Sequence, residues 1–533
     1  MQNEVVAFVA FDEFCNLGIS YIRAVLEKAG FKTVFIDLEL EKEEIVSLLK
    51  YVKPLMVGFS VILQYHIKKF SELARFLRDK GIECHFTAGG HYASLKPEEL
   101  FKMIPELDSI VRFEGEYITL DLVDRLAARK NWKEIKGIAY IEDNKTILTS
   151  LRDQVKKLDE FPFPVRPALK YYTFDLKYSS LIASRGCSHN CAFCNIQKFF
   201  RHPGWKVKRV RRPDMVVSEM KYLNNRLNCS VFLFEDDDFP VNYKPEPDWI
   251  NEFCIELRKK KLDGMIMWKI NCRPDEIEEK KFELMRKNGL FLVYLGIEYG
   301  NNKGLKYMNK HLSVSQILNG ISILKNLRIG FDFGFILFHP DSTFISVDEN
   351  INFLKSICGD GYAVANFVRM EPFYETKIEY KLIVEGRLKG DPESRTYDFI
   401  EDPMNRFYAF ITDIFRPWLY SVDGLMNISK WARNNILVCQ RFICSGKEFD
   451  DIANNIIAII SRSNLYLLNT MQDLIPIFIS EKDIKLEKDL VQIKRSVHLK
   501  HNRLKAELRR SVKELLLLSF ETRPKLFNYL VQY

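Results

Sequence analysis

Two stretches of the chain alternate short apolar runs with amphipathic helical segments, and this alternation most restricts how it can fold. In the first stretch, residues 5–10, 33–37, 55–60, 85–88 and 109–112 are short, apolar and bounded by turn residues, which predicts buried strands. Residues 22–26, 43–51, 67–77 and 97–104 carry apolar side chains at helical spacing between them. The pattern predicts an α/β doubly wound parallel sheet, a fold that binds ligands beyond the carboxyl ends of its strands. Gly89-Gly90-His91 directly follows a strand, where bare backbone approaches a ligand closely. In the second stretch six strands are expected, at 181–184, 231–235, 265–271, 291–298, 331–337 and 364–370. Helical patterns at 214–227, 249–260, 277–287, 315–327 and 347–357 separate them. Six parallel strands make a partial (β/α)6 barrel of the TIM type, with its functional residues at strand ends and in the loops that follow. A Pro-rich run at 161–167 lies between the two stretches, and beyond about residue 390 the pattern is helical. The expected units are therefore 1–135, a linker at 136–175, a barrel at 176–385 and a helical domain at 386–533.

With 47% hydrophobic and 28% charged residues, the chain is neither disordered nor collagen-like. No apolar run approaches the roughly 20 residues of a membrane span, and the first residues do not read as a signal peptide, so a cytoplasmic location is expected. The net charge of +8 is concentrated in residues 481–533, which hold 13 Lys and Arg against 7 Asp and Glu. A basic tail of this kind reads as a solvated helix face, and a nucleic-acid partner is not expected.

Of eleven cysteines, Cys15, Cys84, Cys229, Cys254, Cys272, Cys358, Cys439 and Cys444 are scattered singly, as buried thiols in a reducing compartment are. Cys187, Cys191 and Cys194 form a CxxxCxxC group in the loop after the first barrel strand. Three thiolates at this spacing bind zinc or an iron-sulfur cluster. A structural zinc site needs a fourth protein ligand, which would be His189, His202 or a distant cysteine. A cubane cluster held by three cysteines leaves one iron open to chelate a small molecule.

This group, with Phe193 before its last cysteine, resembles the signature of the radical S-adenosylmethionine superfamily. The resemblance implies a [4Fe-4S] cluster on Cys187, Cys191 and Cys194, with S-adenosylmethionine on the open iron and cleaved to a 5′-deoxyadenosyl radical. It implies an electron donor such as a flavodoxin or ferredoxin. The acidic run Glu235, Asp236, Asp237 and Asp238 is similar to the family segment beside the methionyl ammonium. Arg273 and Glu298 stand where the family meets the cofactor's carboxylate and ribose. The stretches 334–340 and 370–376 are similar to later family segments, but His339 and Glu375 depart from the usual residues.

The first unit resembles the cobalamin-binding domain that precedes the radical core in one large subgroup, through residues 16–21, 57–60, 88–93 and 113–116. Ser60, Gly89 and Gly90 would then line the nucleotide tail, and the loop 63–66 would face cobalt. No Asp-x-His-x-x-Gly motif is present, so cobalamin would bind base-off without a histidine from that motif. The combined resemblance implies methylation of an unactivated carbon of a natural product or peptide by methylcobalamin. Radical cyclisation or rearrangement without net methyl transfer is the alternative, and a non-enzymatic cobalamin or iron-sulfur sensor ranks below it. A methylthiotransferase is disfavoured, because the first unit has only Cys15 and Cys84 where that branch needs three cysteines. No catalytic side chain is assigned. The aromatics Phe407, Tyr408, Phe415, Trp418, Tyr420 and Trp431 are expected near the barrel mouth, more as core than as a substrate cage.

Overall fold

The computed structural model describes residues 4–12, 16–166, 169–174, 176–243, 248–480 and 485–522. Cys15, Pro167 and parts of the basic tail, all singled out from sequence, lie outside the described residues.

The first unit runs β1 (Val5–Ala10), α1 (Leu17–Lys28), β2 (Lys32–Asp37), α2 (Lys42–Val52), β3 (Met56–Ser60), α3 (Ile67–Asp79), β4 (His85–Gly89), α4 (His91–Leu95), α5 (Pro97–Met103), β5 (Ser109–Val111) and α6 (Glu116–Ala127). A hairpin, β6 (Ile138–Glu142) and β7 (Lys145–Leu148), extends the same sheet. Strand order is β2-β1-β3-β4-β5-β6-β7; the first five are parallel and the hairpin is antiparallel. The sheet thus continues into residues 136–175, expected as a linker. The order in which strands are added reverses between β1 and β3, the switch point at which an open α/β sheet forms its ligand crevice.

The barrel unit contains β8 (Tyr171–Thr173), β9 (Leu176–Leu181), β10 (Ser184–Arg185), α7 (Ile196–Phe200), β11 (Arg209–Val210), α8 (Pro213–Leu227), β12 (Cys229–Phe234), α9 (Trp249–Lys259), β13 (Met267–Cys272), α10 (Glu279–Lys287), β14 (Leu290–Glu298), α11 (Asn302–Tyr307), α12 (Val314–Asn326), β15 (Gly330–Phe338), α13 (Phe344–Cys358), β16 (Val368–Arg369) and α14 (Lys377–Val384). Its sheet has the order β16-β15-β14-β13-β12-β9-β8, with six parallel strands and β8 antiparallel at one edge. Two expectations need correction. The first parallel strand is Leu176–Leu181 rather than 181–184, because the N–H groups of Ala183 and Ser184 donate to the Asp236 carboxylate instead of to a neighbouring strand. The sixth is only Val368–Arg369, not 364–370.

After a small hairpin, β17 (Leu388–Lys389) and β18 (Thr396–Tyr397), four helices follow: α15 (Asp402–Leu419), α16 (Leu425–Phe442), α17 (Lys447–Ile479) and α18 (Lys485–Thr522). Only part of this domain lies near the barrel mouth. Phe407 and Tyr408 of α15 pack on Phe338, the last residue of β15. Helix α16 instead crosses the amino-terminal ends of the strands. Its Arg433 donates to the Phe331 carbonyl at 2.7 Å and pairs with Asp332 at 2.5 Å, and Arg441 donates to the Ile266 carbonyl. Phe407, Phe415 and Trp418 are buried core, whereas Tyr420 and Trp431 are half exposed, Trp431 packing on Tyr172. Among the described residues no helix is long and apolar enough to cross a membrane.

Candidate active site

The three cysteines sit between β10 and α7 in a loop that the backbone defines tightly. Gly186 has φ of +83°, and a Cβ there would stand 1.9 Å from the Val207 carbonyl oxygen, so no other residue fits before Cys187. Its N–H donates to Asp237 at 3.0 Å. The Ala192 N–H donates to the Met308 carbonyl, the Ile378 N–H to the Ala192 carbonyl, and Asn195 Nδ2 to the Tyr374 carbonyl, tying the loop to the segment after α11, to the first turn of α14 and to the residues before it. Phe193 packs partly buried against the barrel core. Without metal, burial pushes the Cys187 thiol up to about 12 and the Cys194 thiol up to about 11. His189 lies with its ring nitrogen within 4.8 Å of the carboxylates of Asp238 and Glu276, and His202 packs between Phe113 and Trp205. Three thiolates on a braced loop, with the His202 ring packed between two aromatics, suit a three-cysteine cluster that keeps one iron open.

The acidic run divides into separate tasks. Asp236, 2% exposed, accepts from the Ala183 and Ser184 N–H groups and from Ser184 Oγ, so it fixes the approach to the cysteine loop. Burial raises its pKa to about 7, the three donors acting against that rise. Asp237 is deep in the site but open to its free space, and burial raises it to about 6. Asp238 is paired with Lys208 at 2.6 Å. Glu235 directly follows β12, with Lys269 3.6 Å away, and its Oε1 has no hydrogen-bond partner. Glu298, with φ of +68°, follows a register shift in β14 that turns its carboxylate over Gly334 and onto the buried Lys310 at 3.2 Å. A bulge with a left-handed non-glycine residue beside a strand end is a usual way to aim a functional side chain.

Arg273 does not stand free for a cofactor carboxylate. Its Nε and Nη2 bond the two oxygens of Asp275, while Nη1 and Nη2 donate to the carbonyls of Lys310 and His311. Four of the five guanidinium donors are thereby used within the chain. Arg273 braces the loop that carries Lys310, a residue the sequence reading missed because nothing local marks it.

Beside the two ends of the cysteine loop is a cleft with a volume of about 300 Å³. One wall is the first unit's switch point, with Gly18, Gly58, Ser60, Gly89 and Gly90; the other includes Arg185, Glu235 and Asp237. Gly90 has φ of +106°, and a Cβ there would meet the Val61 carbonyl oxygen at 2.7 Å; a Cβ on Gly58 would meet the Phe8 ring at 2.8 Å. A cradle of bare backbone at strand ends fits the tail of a large cofactor such as cobalamin. His66 lies in the turn at Gln64–His66, its ring 4.3 Å from that of Phe11.

The sequence matches the B12 binding domain over residues 4–123 and the Radical SAM superfamily over residues 181–354. An uncharacterized methyltransferase of Pyrococcus horikoshii is 26% identical over 402 residues, covering 74% of this chain and 84% of that protein. The anaerobic magnesium-protoporphyrin IX monomethyl ester cyclase of Rubrivivax gelatinosus is 27% identical over 415 residues, covering 75% and 69%. Among solved structures, the cobalamin-dependent S-adenosylmethionine radical enzyme OxsB with aqua-cobalamin bound superposes with a TM-score of 0.68 at 16% identity, covering 98% of this chain and 80% of that one. The radical S-adenosylmethionine methyltransferase TsrM from Kitasatospora setae gives 0.59 at 14% identity, covering 72% and 78%. Two matched domains in this order, the cleft between them and the three-cysteine loop together lead to one assignment: the chain belongs to the radical S-adenosylmethionine enzymes that carry a cobalamin-binding domain ahead of the radical core.

Proposed function

We propose that the chain methylates an unactivated carbon of a natural product or peptide. The observation that carries this reading is the shared cleft, in which Ser60, Gly89 and Gly90 face Glu235 and Asp237 across one space. When bound, the cluster and S-adenosylmethionine supply a 5′-deoxyadenosyl radical that abstracts hydrogen, and cobalamin supplies the methyl group. Cys187, Cys191 and Cys194 hold the cluster. Glu235, Asp237 and Asp238 accept from the methionyl ammonium, Glu298 takes the ribose hydroxyls, and Gly58, Gly89 and Gly90 leave the path for the nucleotide tail. Cobalamin binds base-off, since the loop after β1 lacks the usual histidine motif. The protein works in the cytoplasm with a flavodoxin- or ferredoxin-like donor; its first unit runs through the hairpin that ends at Leu148, its barrel begins at Tyr171, and its helical unit follows near residue 385. Relatives named as methyltransferases support methyl transfer, while the cyclase relative makes ring closure the competing outcome.

The test is anaerobic reconstitution with iron, sulfide and hydroxocobalamin, followed by S-adenosylmethionine, reductant and a metabolite extract. Expected are 5′-deoxyadenosine, S-adenosylhomocysteine and a product heavier by one methylene unit, all absent with Cys191→Ala. Deoxyadenosine with a product lighter by two hydrogens and no homocysteine product would replace methylation with cyclisation.

A further inference from the structure

Both arms of the cysteine loop are fastened to the cobalamin-binding unit. Upstream, Arg185 stands two residues before Cys187. Its Nη1 donates to Glu114, in the segment that joins β5 to α6, at 3.1 Å, and its Nη2 to Glu116, the first residue of α6, at 2.5 Å. The three side chains are 14%, 9% and 5% exposed. Glu114 also receives Arg209 of β11, the strand paired with β10, and the Arg185 guanidinium lies 5.0 Å from the Tyr21 ring centroid. Downstream, Phe199 stands five residues after Cys194. It stacks on His91, the residue after Gly90, with ring centroids 4.1 Å apart, and meets Phe113 at 5.3 Å.

An exposed ion pair would add little, but one guanidinium spanning two buried carboxylates fixes both distance and orientation. Arg185, Glu114, Glu116, His91, Phe113 and Phe199 also line the cleft. An occupant of the cleft therefore touches the side chains that hold the cluster loop. We propose that Arg185 is a positioning residue that couples the two cofactor sites: through Glu114 and Glu116 it sets the spacing of cluster and cobalt, so that binding of either cofactor strengthens binding of the other. The inference rests on the two-cofactor reading but not on methylation as the outcome. Because coupling between sites is reciprocal, it is measurable from one side alone.

The experiment is titration of the full chain with hydroxocobalamin, with and without its reconstituted cluster, in wild type, Arg185→Lys and the double variant Arg185→Gln/Glu116→Gln. The double variant removes both charges and so leaves no orphaned carboxylate at Glu116. For wild type the cluster should tighten cobalamin binding about tenfold, within the usual range of such couplings. The double variant should bring the ratio close to one, and Arg185→Lys, which keeps the charge but not the two-armed span, should fall between. The ratio compares each variant with itself, so general destabilisation does not move it. The dipolar interaction between the reduced cluster and cob(II)alamin should also broaden or split differently in the double variant. A wild-type ratio of one, or a double variant that keeps both the wild-type ratio and the dipolar signal, would overturn the latch alone. Failure of wild type to bind hydroxocobalamin in either form would overturn the two-cofactor reading and the latch with it.

Discussion

Gly186 shows how narrowly one residue can govern a cofactor site. A methyl at its α-carbon would collide with the Val207 carbonyl, so Gly186→Ala should lose most cluster incorporation, read as iron and sulfide content after reconstitution, while far-ultraviolet circular dichroism stays unchanged. Asp236 gives a pH signature in the cluster-free protein. Its folded pKa is raised to about 7, whereas the unfolded chain releases that proton near about 3.9. The folded state therefore holds the extra proton between those values, and this group's contribution to stability falls as pH rises from about 4 to about 7. The loss is on the order of 4 kcal/mol at most. Urea midpoints at pH 5 and pH 8 should show the decline, and Asp236→Asn should flatten it. At this scale the sequence reveals what is local: the cysteine spacing, the acidic run and the paired glycines each declare themselves within a few positions. Arg185 and Arg273 do not. The partners of Arg185 lie 71 and 69 positions away, and two of those that occupy Arg273 are carbonyls 37 and 38 positions away, so composition near either residue says nothing of its role.

Among the elements, α16 carries a sharp expectation. Arg433 is 5% exposed and reaches both Phe331 and Asp332 at the barrel's base, so Arg433→Ala leaves a largely buried carboxylate without its partner. The variant should lose about 3 kcal/mol, read as a lower denaturant midpoint. Arg433→Met should lose less of the packing but leave the same unpaired charge, and Arg433→Met/Asp332→Leu should recover much of the loss. Periodicity made the parallel strands and their helices legible, because strands buried on both faces are short apolar runs. It failed at β9, whose Leu-Lys-Tyr-Ser-Ser-Leu sequence is polar by composition although Ser179 and Ser180 are buried. It also passed over the β6–β7 hairpin, although Asp143 and Asn144 between the strands both take positive φ, as the tight turns of hairpins require.

For the whole molecule, the helical domain is part of the barrel's foundation as well as a neighbour of its mouth. Truncation after Tyr397 would uncover the amino ends of β13 and β15 and the apolar surface under α15 and α16. Such a chain should be recovered mainly as aggregate, with the soluble fraction binding a hydrophobic dye. The overall arrangement was readable from sequence as two α/β units and a helical remainder. How the remainder attaches was not, since helical spacing identifies an apolar face without naming what it covers. The strand counts and lengths also bear on self-association. An unclosed sheet invites another copy to add a strand along its margin, yet the barrel's two margins are β8, three residues long, and β16, two residues long. Margins this brief supply too few free backbone groups to template a seventh parallel partner, so the crescent can stay open for chemistry without becoming a nucleus for polymerisation.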